Sequence, residues 1–352
     1  MNDKKINSLI VKKEITIYDI AKELNISPST VSRALKDHSS IGTETKRAVK
    51  KLAKKRGYQP NVLAASLRKN KTNTIGVIMP LINRPFISSL ISGIEIGAKE
   101  AGYNVIISQS HDNYENEVAI ANALYASRVS GLVVSLGMET QNYDHISQFI
   151  KHHIPVVFVD RVTKELNSDL VIIDNFSAGF EATQHLIEQG CKRIAHIGGA
   201  RHRNIYKGRL DGYVEALKKH GLPVEEDLII YNENLSSEEG IKCAERLFEL
   251  TNKPDGVFCS NDTTAISVIL CAKKNGMKVP QDLAVVGFNN DPASLIIDPP
   301  LSTIMHPGID MGRLAAQQVL KHKEHHDIER SETIELKTQL IVRASSLRKE
   351  IN

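Results

Sequence analysis

No stretch of the 352-residue sequence approaches the run of about eighteen apolar residues that a membrane-spanning helix needs. The amino terminus, MNDKKINSLIVKKEI, carries charges but only the short apolar stretch NSLIV, too little for a secretory signal. A cytoplasmic protein with no membrane partner is expected. Cysteine is scarce: Cys191, Cys243, Cys259 and Cys271 are scattered, with no C-x-x-C pair. That excludes a disulfide framework and a zinc site, and leaves four reduced, mostly buried small side chains. Enzyme motifs are missing as well. No G-x-x-x-x-G-K-[ST], G-x-S-x-G or H-E-x-x-H occurs, and no strand-like run is followed by G-x-G-x-x-G. No cofactor, metal or catalytic residue is expected. HKEHHD sets His322 and His326 four apart, a spacing open to a metal, but it lies in a polar connection between a helix and the last strand.

What the chain does have is length for two or three domains and a lopsided charge. The net charge is +4 overall. Residues 1–74 hold 17 Lys and Arg against 6 Asp and Glu, a net +11, whereas the remainder holds 28 against 35, a net −7. A basic head on an acidic body is the electrostatic footprint of nucleic-acid binding.

The basic head is patterned. In TIYDIAKELNISPSTVSRALKD, Thr16 is placed to cap a helix, with Asp19 as its capping-box partner. Ile17, Ile20, Ala21 and Leu24 fall on one helical face. Asn25 tolerates the left-handed turn that ends this helix. Ser27 caps a second helix and Pro28 occupies its first position, where a missing N–H costs nothing. Val31, Ala34 and Leu35 face inward, which leaves Pro28, Ser29, Thr30, Ser32 and Arg33 outward. This is a helix-turn-helix, and the start of its second helix is the part that reaches base edges. Ser29 is short and specifies weakly. Arg33 suits a bidentate guanine contact or a phosphate grip. Thr30 and Ser32 suit phosphates, together with the backbone N–H groups of the helix start. A third helix is expected from about Thr43, as its N-cap, to Arg56, ending at Gly57. The segment PNVLAASLRKN that follows is oddly apolar and helix-favouring for a linker, yet it ends in basic residues.

ITIYDIAKELNISPSTVSRALKD followed by RGYQPNVLAASLRKNKTNTIGVIMP resembles the headpiece and hinge of the lactose/galactose-repressor (LacI/GalR) family of bacterial transcription regulators. T-VSR-L, then GY-PN--A--L, then IGV is a specific combination, and the similarity continues to about Ser346. The resemblance implies a hinge helix after GY-PN that orders only on the operator, with one leucine from each chain wedged into the minor groove. By position that residue is Leu67. The physics agrees: apolar wedges kink DNA, and so short a helix is marginal alone. The resemblance places Thr16, Tyr18, Ser27, Pro28, Ser29, Thr30, Ser32 and Arg33 of the headpiece on DNA, with Asn61, Ala64, Leu67 and Arg68 of the hinge. It also implies a homodimer on a pseudo-palindromic double-stranded operator. The tail SLRKEIN carries no leucine heptads, so the tetramer of one branch of the family is not indicated.

From TIGVIMP onward, short apolar runs alternate with amphipathic helices. Strands are expected at Thr74–Met79, Asn104–Ser108, Gly131–Leu136, Val156–Asp160, Leu170–Asp174, Arg193–Ile197, Leu228–Tyr231, Gly256–Ser260 and Leu283–Gly287. This is doubly wound α/β architecture, long enough for two lobes. The resemblance implies a periplasmic-binding-protein-like core with three crossings between lobes, placed near 172, 304 and 332. The expected organisation is therefore an all-α headpiece (1–59), a hinge helix and linker (60–72) and a two-lobed core (73–346). Lobe 1 takes about 73–172 and 305–331, and lobe 2 about 173–304 and 332–346.

Ligands of open α/β sheets bind beyond the carboxyl ends of the strands, and polar residues gather there. They include Asn83, Arg84 and Phe86, then Asp160 and Arg161, the basic loop ARHRNIYKGRLDGY, Asn261 and Asp262, and Asn289 to Asp291. By motif match Asp160, Arg209 and Asn261 correspond to effector contacts of the family. The candidate effector set is Asn83, Phe86, Asp160, Arg161, Arg209, Asn261, Asp262 and Asn289. Asp262 reads equally as a helix N-cap, and Asn289–Asn290 as turn formers. Asn289 stands where many sugar-binding relatives carry an acid, which puts their two-hydroxyl grip in doubt. The reading is a DNA-binding regulator, a repressor under a small-molecule effector such as a sugar or sugar derivative. A transport solute-binding protein shares the body but needs a signal peptide and no basic head. An α/β enzyme lacks a motif.

Overall fold

A computed structural model describes residues 15–58, 72–232, 234–325 and 331–348. The chain divides into two compact units, Met1–Asn70 and Lys71–Asn352. The hinge residues Asn61, Ala64, Leu67 and Arg68, and also His326, lie outside the described residues.

The first unit holds three helices, α1 (Ile17–Glu23), α2 (Pro28–Leu35) and α3 (Thr43–Arg56). Thr16 and Asp19 form the full capping box, with Thr16 N–H to Asp19 Oδ2 at 2.8 Å and the reciprocal bond at 3.4 Å. Asn25 takes φ 51° in the turn. The Ser27 hydroxyl caps α2 by accepting the Thr30 N–H at 3.1 Å. Ile20, Ala21, Val31, Ala34, Val49, Leu52 and Ala53 are buried together at the crossing of the three helices. One expectation changes. Thr43 is the first residue of α3, and the N-cap is Gly42, whose side chain offers no oxygen. The chain enters the helix from an extended Gly42, a conformation the pattern did not register.

The second unit contains two six-stranded sheets. The first uses β1 (Thr74–Met79), β2 (Asn104–Gln109), β3 (Gly131–Val134), β4 (Val156–Val159), β5 (Asp169–Ile173) and β11 (Thr333–Leu336), ordered β11-β5-β4-β3-β1-β2 and parallel throughout. The second uses β6 (Ile194–Gly198), β7 (Ile229–Tyr231), β8 (Gly256–Cys259), β9 (Ala284–Asn289), β10 (Ser302–Met305) and β12 (Gln339–Ile341). Its order is β12-β10-β9-β8-β6-β7, with β12 antiparallel to β10. β3, β4, β6 and β8 are buried along their whole length, as their apolar runs require. In each sheet the strand order reverses at the first strand, β1 or β6, which opens a crevice there.

The remaining helices are α4 (Pro85–Glu100), α5 (Tyr114–Ala126), α6 (Asp144–Lys151), α7 (Asn175–Glu188), α8 (Asn204–Lys219), α9 (Ser237–Glu249), α10 (Asp262–Lys274), α11 (Ala293–Ile296) and α12 (Gly308–His325). Helices α4 and α12 pack tightly on the first sheet, and α7 and α8 on the second. Glycine makes both crossings close. A Cβ at Gly312 would stand 2.0 Å from Leu90 O, and one at Gly212 would stand 2.1 Å from Phe176 O. No helix among the described residues is long and apolar enough to cross a membrane.

The chain crosses between lobes after Ile173, after Met305, and between Leu336 and Gln339. The third crossing lies later than the expected 332. Residues 333–336 pair in parallel with β5, Thr333 opposite Leu170, and so belong to lobe 1. Asp169 fixes this register by accepting the Glu332 N–H at 2.8 Å. TIEL is a half-exposed edge strand whose partner lies far away in sequence, so local pattern did not assign it a lobe. All four cysteines are free and buried. His322 hydrogen-bonds Asp169 Oδ2 at 2.7 Å, against the metal-pair option, and no group of three metal-ligating side chains occurs among the described residues.

Candidate functional site

The carboxyl ends of β1, β4, β8 and β9 converge on one cleft between the lobes, with about 620 Å³ of empty space including the solvent at its mouth. Of the eight effector candidates, Phe86, Asp160, Arg161, Arg209, Asn261 and Asn289 line it. Asn83 and Asp262 do not. Asn83 is exposed on the turn after β1. Asp262 is fully buried and turned inward. Its carboxylate accepts the Asp291 N–H at 2.6 Å and the Thr303 hydroxyl at 2.7 Å, tying β10 and the loop after β9 to α10. The N-cap of α10 is Asn261 rather than Asp262.

Arg209 forms the floor of lobe 2. It is 3% exposed, its Nε donates to Asn175 Oδ1 at 2.9 Å and its Nη1 to Ser260 O at 2.7 Å. The guanidinium lies 3.5 Å from the centre of the Phe288 ring. Burial pushes its pKa down to about 10, with Asp160 and Tyr206 acting the other way. Asp160, at the end of β4 in lobe 1, is 6% exposed. It takes φ 60° and its Oδ1 has no hydrogen-bond partner. Burial raises its pKa, and Arg161 and Arg209 oppose the rise. Positive φ at a non-glycine residue stores strain that clusters at binding sites, and Asn289 repeats it with φ 106°. Arg161 is engaged by Asp112 at 2.5 Å. Asn261 uses its carbonyl to cap α10 and its amide N–H to bond Leu235 O at 2.9 Å.

Sequence reasoning missed several residues here. His306, Tyr206, Ser260 and Asn234 line the cleft, and Arg84 and Asp291 were noted only as neighbours of better candidates. Asn204 was not singled out at all, yet it binds the backbone on both sides of Arg161: its Nδ2 donates to Asp160 O at 3.0 Å, and its Oδ1 accepts Val162 N–H at 3.1 Å. Further ties cross the cleft. Arg84 donates to Asn234 O at 3.1 Å, His202 donates to Met138 O at 2.8 Å, and Arg203 bonds the carbonyls of Met138 and Thr140. The Met138–Thr140 loop is itself held by buried Glu117, which accepts from Gly137 N, Thr140 Oγ1 and His145 Nε2. No motif flags these residues, because each acts through a partner in the other lobe or in a distant loop.

In the first unit the face expected to meet DNA is solvent-accessible. Thr16, Ser27, Ser29 and Arg33 are exposed, Tyr18 is 64% exposed, and Pro28, Thr30 and Ser32 are half-buried at the start of α2. The Ser27 hydroxyl lies 2.7 Å from that of Ser29 and 2.8 Å from that of Thr30. Lys50 and Arg56 are taken up by Asp37 and Glu23 in surface ion pairs.

Buried Asp262 has a consequence for stability. Burial raises its pKa to about 7, well above its unfolded value. A carboxyl with a raised folded pKa binds protons more tightly in the native state, so its contribution is lost as pH rises from about 4 to about 7. Asp291 acts in the same direction, with a pKa of about 6. Asp262→Asn keeps an acceptor but removes the titration. Denaturant unfolding at about pH 4.5 and about pH 7.5 is expected to show the variant's stability shifted by about 1–3 kcal/mol in favour of the higher pH, relative to wild type. An unchanged pH profile would contradict the assignment.

Comparison with known proteins gives the following. Residues 16–61 match the family described as "Bacterial regulatory proteins, lacI family". Residues 183–346 match a "Periplasmic binding protein-like domain". The chain is 33% identical to catabolite control protein A of Priestia megaterium, over 90% of this chain and 95% of that one. It is also 33% identical to the HTH-type transcriptional repressor CytR of Escherichia coli (strain K12), over 94% of this chain and 96% of that one. Among solved structures it is similar to the transcriptional regulator CelR–cellobiose complex, with TM-score 0.72 and 25% identity, covering 94% of this chain and all of that one.

Proposed function

The chain belongs to the lacI family of bacterial regulatory proteins and is a DNA-binding transcriptional regulator, and on that premise we propose that it is a cytoplasmic repressor whose operator affinity is set by a sugar or sugar derivative held between the lobes of its core. One observation carries the reading. Buried polar groups of both lobes, Asp160 from lobe 1 and Arg209 from lobe 2, converge on a single cleft, and Asp160 Oδ1 is left without a partner. Buried polar groups without partners are costly unless a ligand satisfies them. The similarity to a cellobiose-bound regulator supports a carbohydrate class.

In this reading Ser29 and Arg33 read base edges, while Thr16, Tyr18, Ser27, Pro28, Thr30 and Ser32 position the headpiece. Asn61, Ala64, Leu67 and Arg68 form the hinge, with Leu67 as wedge. Two copies read two half-sites. A ligand that bonds both lobes favours one lobe arrangement over the other, and that preference is the coupling energy available to the hinges. The chain acts as a regulator, not an enzyme, and the basic headpiece argues against a transport-system binding protein.

The test is a thermal-shift screen of sugars, sugar phosphates and nucleosides on the full chain, followed by operator binding with and without each hit. A specific ligand at about a hundred times its Kd stabilises by about 2.7 kcal/mol. Operator affinity should then change by about fivefold to a hundredfold. A ligand that raises Tm and leaves operator affinity unchanged would break the proposed coupling.

A further inference from the structure

Two buried polar atoms of cleft-lining residues lie close together. Asp160 Oδ1 and His306 Nε2 lie 4.0 Å apart, too far for a direct hydrogen bond. Neither has a hydrogen-bond partner. Asp160 and His306 are each 6% exposed, and both line the cleft. The imidazole is held firmly. It stacks on Phe86 with ring centres 3.7 Å apart and planes 13° from parallel. Its Nδ1 lies 3.3 Å from Asn289 Oδ1, an oxygen that only accepts, so Nδ1 carries the proton. The ring is neutral, since burial and the nearby Arg209 drive its pKa far down. The lone pair of Nε2 is therefore left unmatched, 4.0 Å from Asp160 Oδ1.

A ligand group between them meets two acceptors at once. A hydroxyl carries one proton and leaves one acceptor unsatisfied. A primary nitrogen carries at least two, one for each acceptor. We propose that His306 and Asp160 select an effector bearing a primary nitrogen, –NH2 or –NH3⁺, as in an amino sugar or an aminated nucleoside. The inference rests on the reading of the cleft as the effector site and narrows its chemistry. It also gives Asn289 a role, since its Oδ1 fixes the tautomer of His306. His306 lies in the connection from β10 of lobe 2 to α12 of lobe 1. A nitrogen shared with Asp160 thus joins the end of β4 to one of the three crossings.

The experiment uses the full chain and matched pairs: glucosamine and glucose, galactosamine and galactose, adenosine and inosine, cytidine and uridine. Thermal shift and calorimetry are read for each. One amino member is expected to raise Tm and to bind about tenfold or more tighter than its partner, the cost of leaving a buried acceptor unpaired. The sugar and nucleoside arms separate the two sources of the nitrogen. In His306→Leu, with its fold checked by circular dichroism, the discrimination within that pair should shrink to about onefold, whereas His306→Gln, which can present an oxygen, should recover part of it. If the hydroxyl or oxo members bind as well as the amino members, the inference fails and the effector cleft stands. If no amino member of either class binds, the inference fails. If wild-type selectivity survives in His306→Leu, the assignment to His306 is wrong.

Discussion

Operator affinity is expected to fall by about a thousandfold or more as salt rises from about 50 to about 200 mM, because each phosphate contact releases condensed counterions. The basis is the concentration of charge: residues 1–74 carry a net +11 against −7 for the rest. Not all of that charge reaches DNA. Lys50 and Arg56 are engaged by Asp37 and Glu23 within the headpiece. At the start of α2, Ser29 and Arg33 are exposed, and Arg33 adds its charge to that face. Fluorescence anisotropy of a labelled operator across a salt series measures the slope of log K against log salt. A slope shallower than about −3 would mean few phosphates are neutralised, and the headpiece face would need another assignment.

The second large effect is expected at Arg209. Arg209→Ala should weaken effector binding by about a hundredfold or more, since a buried charge-assisted contact is removed and its neighbours are left unpaired. Two of those neighbours belong to the protein: Asn175 Oδ1 and Ser260 O both accept from this guanidinium. A stability loss of about 1–3 kcal/mol should accompany the change. The side chain also lies over Phe288, so the cleft floor loses packing as well as charge. Arg209→Lys should recover only part of the affinity, because an ammonium cannot reproduce the planar fork and its stacking. Calorimetric titration of both variants with a ligand found for wild type decides the matter. Full affinity in Arg209→Ala would remove this residue from the site.

The sequence by itself determined the elements whose causes are local. Thr16 and Asp19 are three apart, Ser27 and Pro28 open a helix, and Asn25 accepts a left-handed turn; each of these acts within one helical turn, so spacing alone reveals it. Strands buried on both faces announce themselves as apolar runs, and β1 was bounded to the residue. The motif string of the head and hinge carried the family. Asp160 and Arg209 were legible for the same reason, as residues of recognisable motifs at strand and helix positions that face a cleft.

Only the tertiary structure decided which polar residues meet. Asp262 turns away from the cleft because Asp291 and Thr303, remote in sequence, supply its hydrogen bonds. β11 joins lobe 1 because β5 offers an edge and Asp169 holds the register. His306 comes to stand 4.0 Å from Asp160 because the second crossing passes beside the end of β4. Periodicity and capping are properties of neighbouring residues. A binding site joins residues from separate strands and lobes, and the distances that fix its chemistry exist only once both sheets are folded and the crossings are in place.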